Sequence, residues 1–379
     1  MKFICDRPSL LDAVNLVSGV VAPRSPRPQL TCVKLRAAIE GKVGTLSLSA
    51  TDGEIFLSLT SSRVDISEPG EALIPADKLR QIVAAEDADN TLTITVEKDI
   101  CEIRGADARF KIFGYPASDF PPAPAFPEDE KNVFSISAGD LRELVQRTVF
   151  AAARETSRYA INGVLLKRDG KKLEMVATDG RRLALARATA SAAAAGTASC
   201  IVPTKALSLA LKLMTDDEQR VHVALQGTQI LIAFGDTDDP ARAILTSNLV
   251  EGAFPPYEDV IPKDQDKKAS FTRDALMSGV RRAALLTNEE SRGVRLSIDT
   301  ERLRLSSRAP EMGEAEIDVP VTEFTGDAIE IGFNPNFITD ALKVMGDANI
   351  VIELKASNKP GLIRSGNDFL YVVMPVNLQ

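Results

Sequence analysis

Two aspartates have the side chains best suited to acid–base or metal chemistry. Asp52 and Asp179 sit in the same tetrapeptide, Ala50-Thr51-Asp52-Gly53 and Ala177-Thr178-Asp179-Gly180, each closing an alternating apolar stretch. A carboxylate in a turn after a strand can act as a metal ligand or general base. Asp and Gly are also ordinary hairpin-turn residues, and the repeated context favours that structural role. His222 is the only histidine. Its place in Val221-His222-Val223-Ala224-Leu225, on the face opposite the valines, predicts a solvent-side strand position. A single histidine excludes two-histidine metal motifs, and it excludes Ser-His-Asp and Cys-His chemistry unless His222 is itself the base. Cys5, Cys32, Cys101 and Cys200 are scattered with no CxxC, which predicts reduced, partly buried thiols rather than zinc ligands or disulfides. No GxGxxG occurs, and Gly170-Lys171 lacks the glycine five positions earlier that a GxxxxGK loop requires. No cofactor or metal is expected, and the chain reads as a non-enzyme.

The elements around these residues repeat three times. Phe3-Ile4, Phe134-Ser135 and Phe271-Thr272, 131 and 137 residues apart, each lead into an amphipathic helix. The apolar faces are Leu10, Leu11, Val14 and Val17; Leu141, Leu144, Val145 and Val149; and Leu276, Val280, Ala283 and Ala284. Alternating strands follow at Leu46 to Ala50, Leu173 to Ala177 and Leu303 to Leu305. A second helix then begins at a proline in every copy, at Pro75, Pro203 and Pro335. Phe120-Pro121-Pro122 and Phe254-Pro255-Pro256 read as interdomain joints, and the alanine-rich 191–196 stretch as an exposed loop. The fold class is α+β, with three domains at 1–123, 130–260 and 261–379, each carrying two helices packed on antiparallel sheets.

The 379 residues, 44% hydrophobic and 26% charged, are ordinary globular composition and exclude disorder or collagen-like structure. No run reaches the roughly 18 apolar residues of a membrane helix. The start, with Cys5, Asp6 and Arg7, is unlike a secretory signal, so a cytoplasmic location is expected. The net charge is −8, yet the six expected helices (7–20, 75–85, 137–154, 203–214, 272–287 and 335–345) hold twelve Lys or Arg against six acids. A basic helix set in an acidic protein suits the regular phosphates of duplex DNA, although solvated helix faces are often basic. The Arg104 to Lys111 segment has three cations and one acid, whereas Arg308 to Asp318 has one cation and four acids. Ends that match in this way can close head to tail into a symmetric oligomer and hide sheet edges.

Over its whole length the chain resembles the β subunit of bacterial DNA polymerase III, the replicative sliding clamps. The stretches that carry the resemblance are Ser157 to Leu165, Ala177 to Ala184, Phe254-Pro255-Pro256-Tyr257 with Val260-Ile261-Pro262, Asn288-Glu289 with Ser291 to Leu296, and Tyr371-Val372-Val373-Met374-Pro375. The resemblance implies a head-to-tail dimer forming a six-domain ring around duplex DNA, which raises polymerase processivity without catalysis or base reading. It implies as partners the replicative polymerase catalytic subunit, the clamp loader, and other DNA polymerases and repair proteins with clamp-binding peptides, with no membrane role.

By the same resemblance a peptide cleft is expected at Arg158, Ile161, Thr178, Gly180, Arg181, Arg182, Leu183, Pro255, Val260, Pro360, Val372, Met374, Pro375, Val376 and Leu378. In it Ile161, Leu183, Val260, Val372 and Met374 would receive apolar anchors, with Arg158 and Arg182 at the edge. DNA contacts fall on Arg24, Tyr159 and Lys205. Glu155 is excluded because it stands where some relatives carry a neutral amide. The dimer contact falls on Phe110, Ile112, Leu285 and Leu286, flanked by Arg109 with Glu311 or Glu314, and alternation leaves a core role open for Phe110 and Ile112. The chain departs from the family at Arg181, often His, and at Asn377, commonly basic; both positions bear on peptide preference. Two rival readings remain: a repeat scaffold that never meets DNA, and a metal-dependent enzyme using Asp52 or Asp179.

Overall fold

The computed structural model describes residues 1–377 apart from 23, 42, 89, 128–132, 156–158, 194–195, 236–242 and 288–292. Among the described residues, six α-helices follow the apolar spacing: α1 (Arg7–Ser18), α2 (Ala76–Ala85), α3 (Ala138–Gln146), α4 (Thr204–Leu213), α5 (Arg273–Ala283) and α6 (Pro335–Val344). α1 is capped by Asp6 Oδ2, which accepts the Ser9 amide at 2.9 Å. Asn334 Oδ1 accepts the Asn336 amide at 3.0 Å ahead of Pro335, so α6 has both a polar cap and a proline pre-set for the first turn. α2 and α4 begin one residue after their prolines. α3 stops well short of residue 154: Thr148 Oγ1 donates to the Leu144 carbonyl at 2.7 Å, and a 3-10 turn follows over Val149–Ala151.

Hydrogen bonds repeat with the sequence. The amides of Arg7, Ala138 and Arg273 donate at 2.8 Å to the carbonyls of Asn90, Gln219 and Ala348. An arginine of the first helix reaches the end of the second in each copy: Arg7 to Val83 O (3.3 Å), Arg142 to Met214 O (2.9 Å) and Arg273 to Met345 O (2.7 Å). A cation there complements the negative end of the helix dipole. The middle copy has Ala138 at the position of the other two arginines, and Arg142, one turn later, takes over. Several helix-borne cations are therefore spent on the fold, and Arg80, Lys205 and Lys343 are paired with Asp77, Asp52 and Asp340. Lys212, Arg281 and Arg282 remain exposed.

Among the described residues, the strands form four antiparallel sheets in two compact units. The first unit comprises Met1–Arg142, Ala190–Gly196 and Lys205–Leu249; the second comprises Glu143–Thr189, Thr197–Thr204 and Val250–Gln379. Each unit has one small sheet, of five and four strands respectively, and one of nine. The nine-stranded sheets run across repeat boundaries. Ala243–Asn248 of the middle repeat pairs with Ile55–Ser61 of the first, placing Leu245 opposite Leu57. Arg182–Thr189 pairs with Phe369–Val373 of the third, placing Leu183 opposite Val372. Each joint satisfies two strand edges that would otherwise expose unpaired backbone groups, and the middle repeat is thereby shared between the units.

Four local expectations change. Ala192–Ala193 of the alanine-rich stretch is a short edge strand on Val133–Ser137, not a loop. His222 is half-buried rather than solvent-facing, with Nδ1 2.9 Å from Ser135 Oγ. Phe120 of the first proline joint is a buried anchor packed edge-on to Phe56 at 5.8 Å. All four cysteines are fully buried and free, and burial pushes the thiols of Cys5, Cys101 and Cys200 up to about 12.

Candidate peptide-binding cleft

The Thr-Asp-Gly turns are the same device built twice. Asp52 Oδ1 accepts the amides of Glu54 and Ile55 at 2.9 and 2.8 Å, and Asp179 Oδ1 accepts those of Arg181 and Arg182 at 2.9 and 3.1 Å. The preceding threonine accepts the glycine amide and donates across the turn: Thr51 to Ile55 O and Thr178 to Arg182 O, both at 2.7 Å. Gly53 and Gly180 have φ of +96° and +85°, backbone that favours glycine. Asp299 accepts the amides of Glu301 and Arg302 at 2.8 and 2.9 Å, a third version that sequence reading missed because Ile298 and Thr300 stand where the other two turns have threonine and glycine. In the first two copies the other carboxylate oxygen holds a cation, Lys205 at 2.5 Å and Arg182 at 3.0 Å. Among the described residues no cluster of His, Cys, Asp or Glu could hold a metal.

In the second unit the turn lies beside the C-terminal strand. Register pairs Leu183 with Val372, and the Met374 amide donates to Arg181 O at 2.9 Å. Leu183 and Val372 are fully buried in a cluster with Leu185, Tyr257, Leu362 and Leu370, against which Phe254 and Ile261 pack. They are core residues rather than exposed anchors. Among the expected cleft residues, accessible apolar surface comes from Val260 (45% exposed), Met374 (37%) and the half-buried Ile161, with Pro255 also half-buried. Thr178 is buried in its turn, whereas Gly180 and Arg181 are exposed. Pro360 is tied down by Gln265 Nε2, which donates to its carbonyl at 2.8 Å. The half-buried Pro375 and Val376 continue the segment, and the Val376 amide donates to Gly332 O at 2.9 Å. Arg158 and Leu378 lie outside the described residues.

Arg182 is not an edge handle. Its side chain, 11% exposed, donates to Asp179 at 3.0 Å, Asp340 at 2.9 Å and Phe150 O at 2.8 Å, and it stacks 4.6 Å from the Phe337 ring. The planar guanidinium satisfies three acceptors in fixed directions, which makes it a strut. Burial alone would raise the Asp340 carboxyl, but the Lys343 and Arg182 hydrogen bonds outweigh it and hold the group below its usual range. Beside this strut is an open hollow of about 500 Å³ lined by Phe150, Arg154, Arg181, Asn334, Asn336 and Phe337 among others. The sequence reading treated Asn334 to Phe337 only as a helix start. The Asn-Pro cap and an aromatic in the first turn were the available signal.

Arg24 and Tyr159 are exposed, and Lys205 is held by Asp52. On the edge strand Arg109–Phe113, Ile112 is 6% exposed and packs into its own unit, the core role that alternation left open. The exposed apolar side chain there is Phe113 (75%), on the opposite strand face; Phe110 is half-buried. Arg109 already pairs with Glu102, as does Arg104, and the two arginines hold that carboxyl at about 2. Leu285 is 76% exposed, Leu286 half-buried, and Glu311 and Glu314 exposed.

Repeated α+β modules joined by shared sheets, with aspartates committed to matching turns, define the class of fold. Models of the DNA polymerase III beta subunit match in series: the N-terminal domain over 1–124, the central domain over 135–256 and the C-terminal domain over 258–377. The beta sliding clamp of Pseudomonas aeruginosa is 36% identical and that of Escherichia coli K12 32% identical, each with full coverage of both chains. A P. aeruginosa clamp solved bound to griselimycin superposes with a TM-score of 0.90 at 36% identity, and the Bacillus subtilis clamp with 0.90 at 27%, both over the full chains. The chain belongs to the DNA polymerase III β subunit family. Its function is that of a DNA sliding clamp, not an enzyme.

Proposed function

We propose that the chain pairs head to tail with a second copy into a six-domain ring around duplex DNA, its three domains divided near residues 123 and 260. The ring tethers the replicative polymerase catalytic subunit, the clamp loader, other DNA polymerases and repair proteins through the groove floored by Leu183 and Val372. The observation that carries this reading is the unbroken run of three β-subunit domains over the chain. An apolar floor with an adaptable methionine at its rim suits short linear peptides of varied sequence, and a similar clamp accepts griselimycin. Phe110 and Phe113 with Leu285 and Leu286 supply apolar contact between copies, and Arg109 faces Glu311 or Glu314. Arg24, Tyr159 and Lys205 meet the DNA backbone. No described helix is long and apolar enough to cross a membrane, in keeping with a cytoplasmic site of action.

Retention on nicked circular DNA after loading, and loss when the circle is linearised, tests the reading. Equal retention on both forms argues against encirclement, and no association with either favours the scaffold alternative.

A further inference from the structure

The two Thr-Asp-Gly turns differ in what their second carboxylate oxygen holds. In the middle repeat it holds Arg182, an 11%-exposed strut inside the fold. In the first repeat it holds Lys205, half-exposed at the start of α4, with Nζ 2.5 Å from Asp52 Oδ2. The carboxylate is the immobile partner. Asp52 Oδ1 is fixed by the amides of Glu54 and Ile55, and its side chain is only 16% exposed. Lys205 carries its charge on a flexible stem and can leave. If it does, a partly buried carboxylate stays behind without its cation, which is unfavourable. Lys205 also lies in the first turn of α4, where the helix dipole disfavours a cation and favours the carboxylate beside it.

We propose that Asp52 is the resident counter-ion of Lys205 and competes with DNA phosphate for it, so that this cation makes a weakened, readily exchanged contact suited to sliding. The inference rests on the reading of Lys205 as a DNA-contacting residue. The counter-ions released on binding come from the DNA, and a Lys205–Asp52 pair brings almost no net charge to them, whereas an unpaired cation brings one and steepens the salt dependence of binding by about 0.9 in log–log slope.

Asp52→Asn keeps the oxygen that accepts the two backbone amides and removes the competing charge. In the full-length protein, duplex oligonucleotide binding followed by fluorescence anisotropy across a salt series should be tighter at low salt for Asp52→Asn, with a slope steeper by about 0.9. In a Lys205→Ala background the same substitution should leave the slope unchanged. An unaltered or weakened Asp52→Asn overturns the proposal. Equal tightening in the Lys205→Ala background overturns it as well, since a general charge effect would then suffice. If the wild type is not retained on nicked circular DNA after loading, the clamp reading itself has failed. If all associate but Asp52→Asn matches wild type, only the counter-ion role falls.

Discussion

Asp179, Arg182 and Asp340 illustrate how one guanidinium ties together the elements around the hollow it borders. With three acceptors and a stacked ring, Arg182 joins the turn, the 3-10 segment at Phe150 and α6. Removing one partner of a largely buried pair leaves the others uncompensated. Arg182→Ala should cost about 2 to 3 kcal/mol by urea denaturation, and Arg182→Lys should recover little of it, since an ammonium cannot reproduce the fork. The pH dependence follows from Asp340. Its carboxyl is depressed in the folded chain, so its contribution is complete above the ordinary aspartate range and is lost as pH falls through the folded value. The stability gap between wild type and Arg182→Ala should therefore hold steady at neutral pH and narrow below about pH 4. A gap that stayed constant into acid would assign the loss to packing alone.

At the level of elements, the C-terminal segment and the end of α5 carry distinct duties. Met374 and Val376 are bound through main-chain amides to Arg181 and Gly332, so the segment proposed as groove wall is also tied into the fold. Deleting Met374 to Gln379 should abolish binding of a clamp-binding peptide in fluorescence anisotropy while leaving the dimer intact by sedimentation; retained affinity would move the cleft elsewhere. Past α5, Leu285 projects into solvent with Leu286 half-buried beside it. An apolar pair left open in this way calls for a cover. Leu285→Ala with Leu286→Ala should yield monomers in sedimentation velocity, and an unchanged dimer would remove these residues from the interface.

For the whole molecule, a net charge of −8 must coexist with attraction to a polyanion. Local placement resolves this only if phosphate contacts dominate. DNA association should then fall steeply as salt rises, and a flat response between low and moderate ionic strength would contradict phosphate-led contact. The structure also lowers the number of cations available: those of Arg7, Arg142 and Arg273 cap helix ends. A weak set of contacts is compatible with sliding, since a ring is held by topology rather than by affinity.

Periodicity and spacing by themselves determined the threefold repeat, six helices and the two matching turns, because apolar spacing and turn chemistry are local properties that a linear string records. The proposed peptide groove was legible only through resemblance, since Leu183 and Val372 are far apart in sequence and meet through strand pairing. Tertiary structure alone decided which side chain each aspartate would hold, that Arg182 turns inward, that Ile112 is core while Phe113 is exposed, and that the middle repeat lends strands to both neighbours. Those outcomes depend on long-range register and burial. Alternation states that two strand faces differ, and only the packed neighbours determine which face is covered.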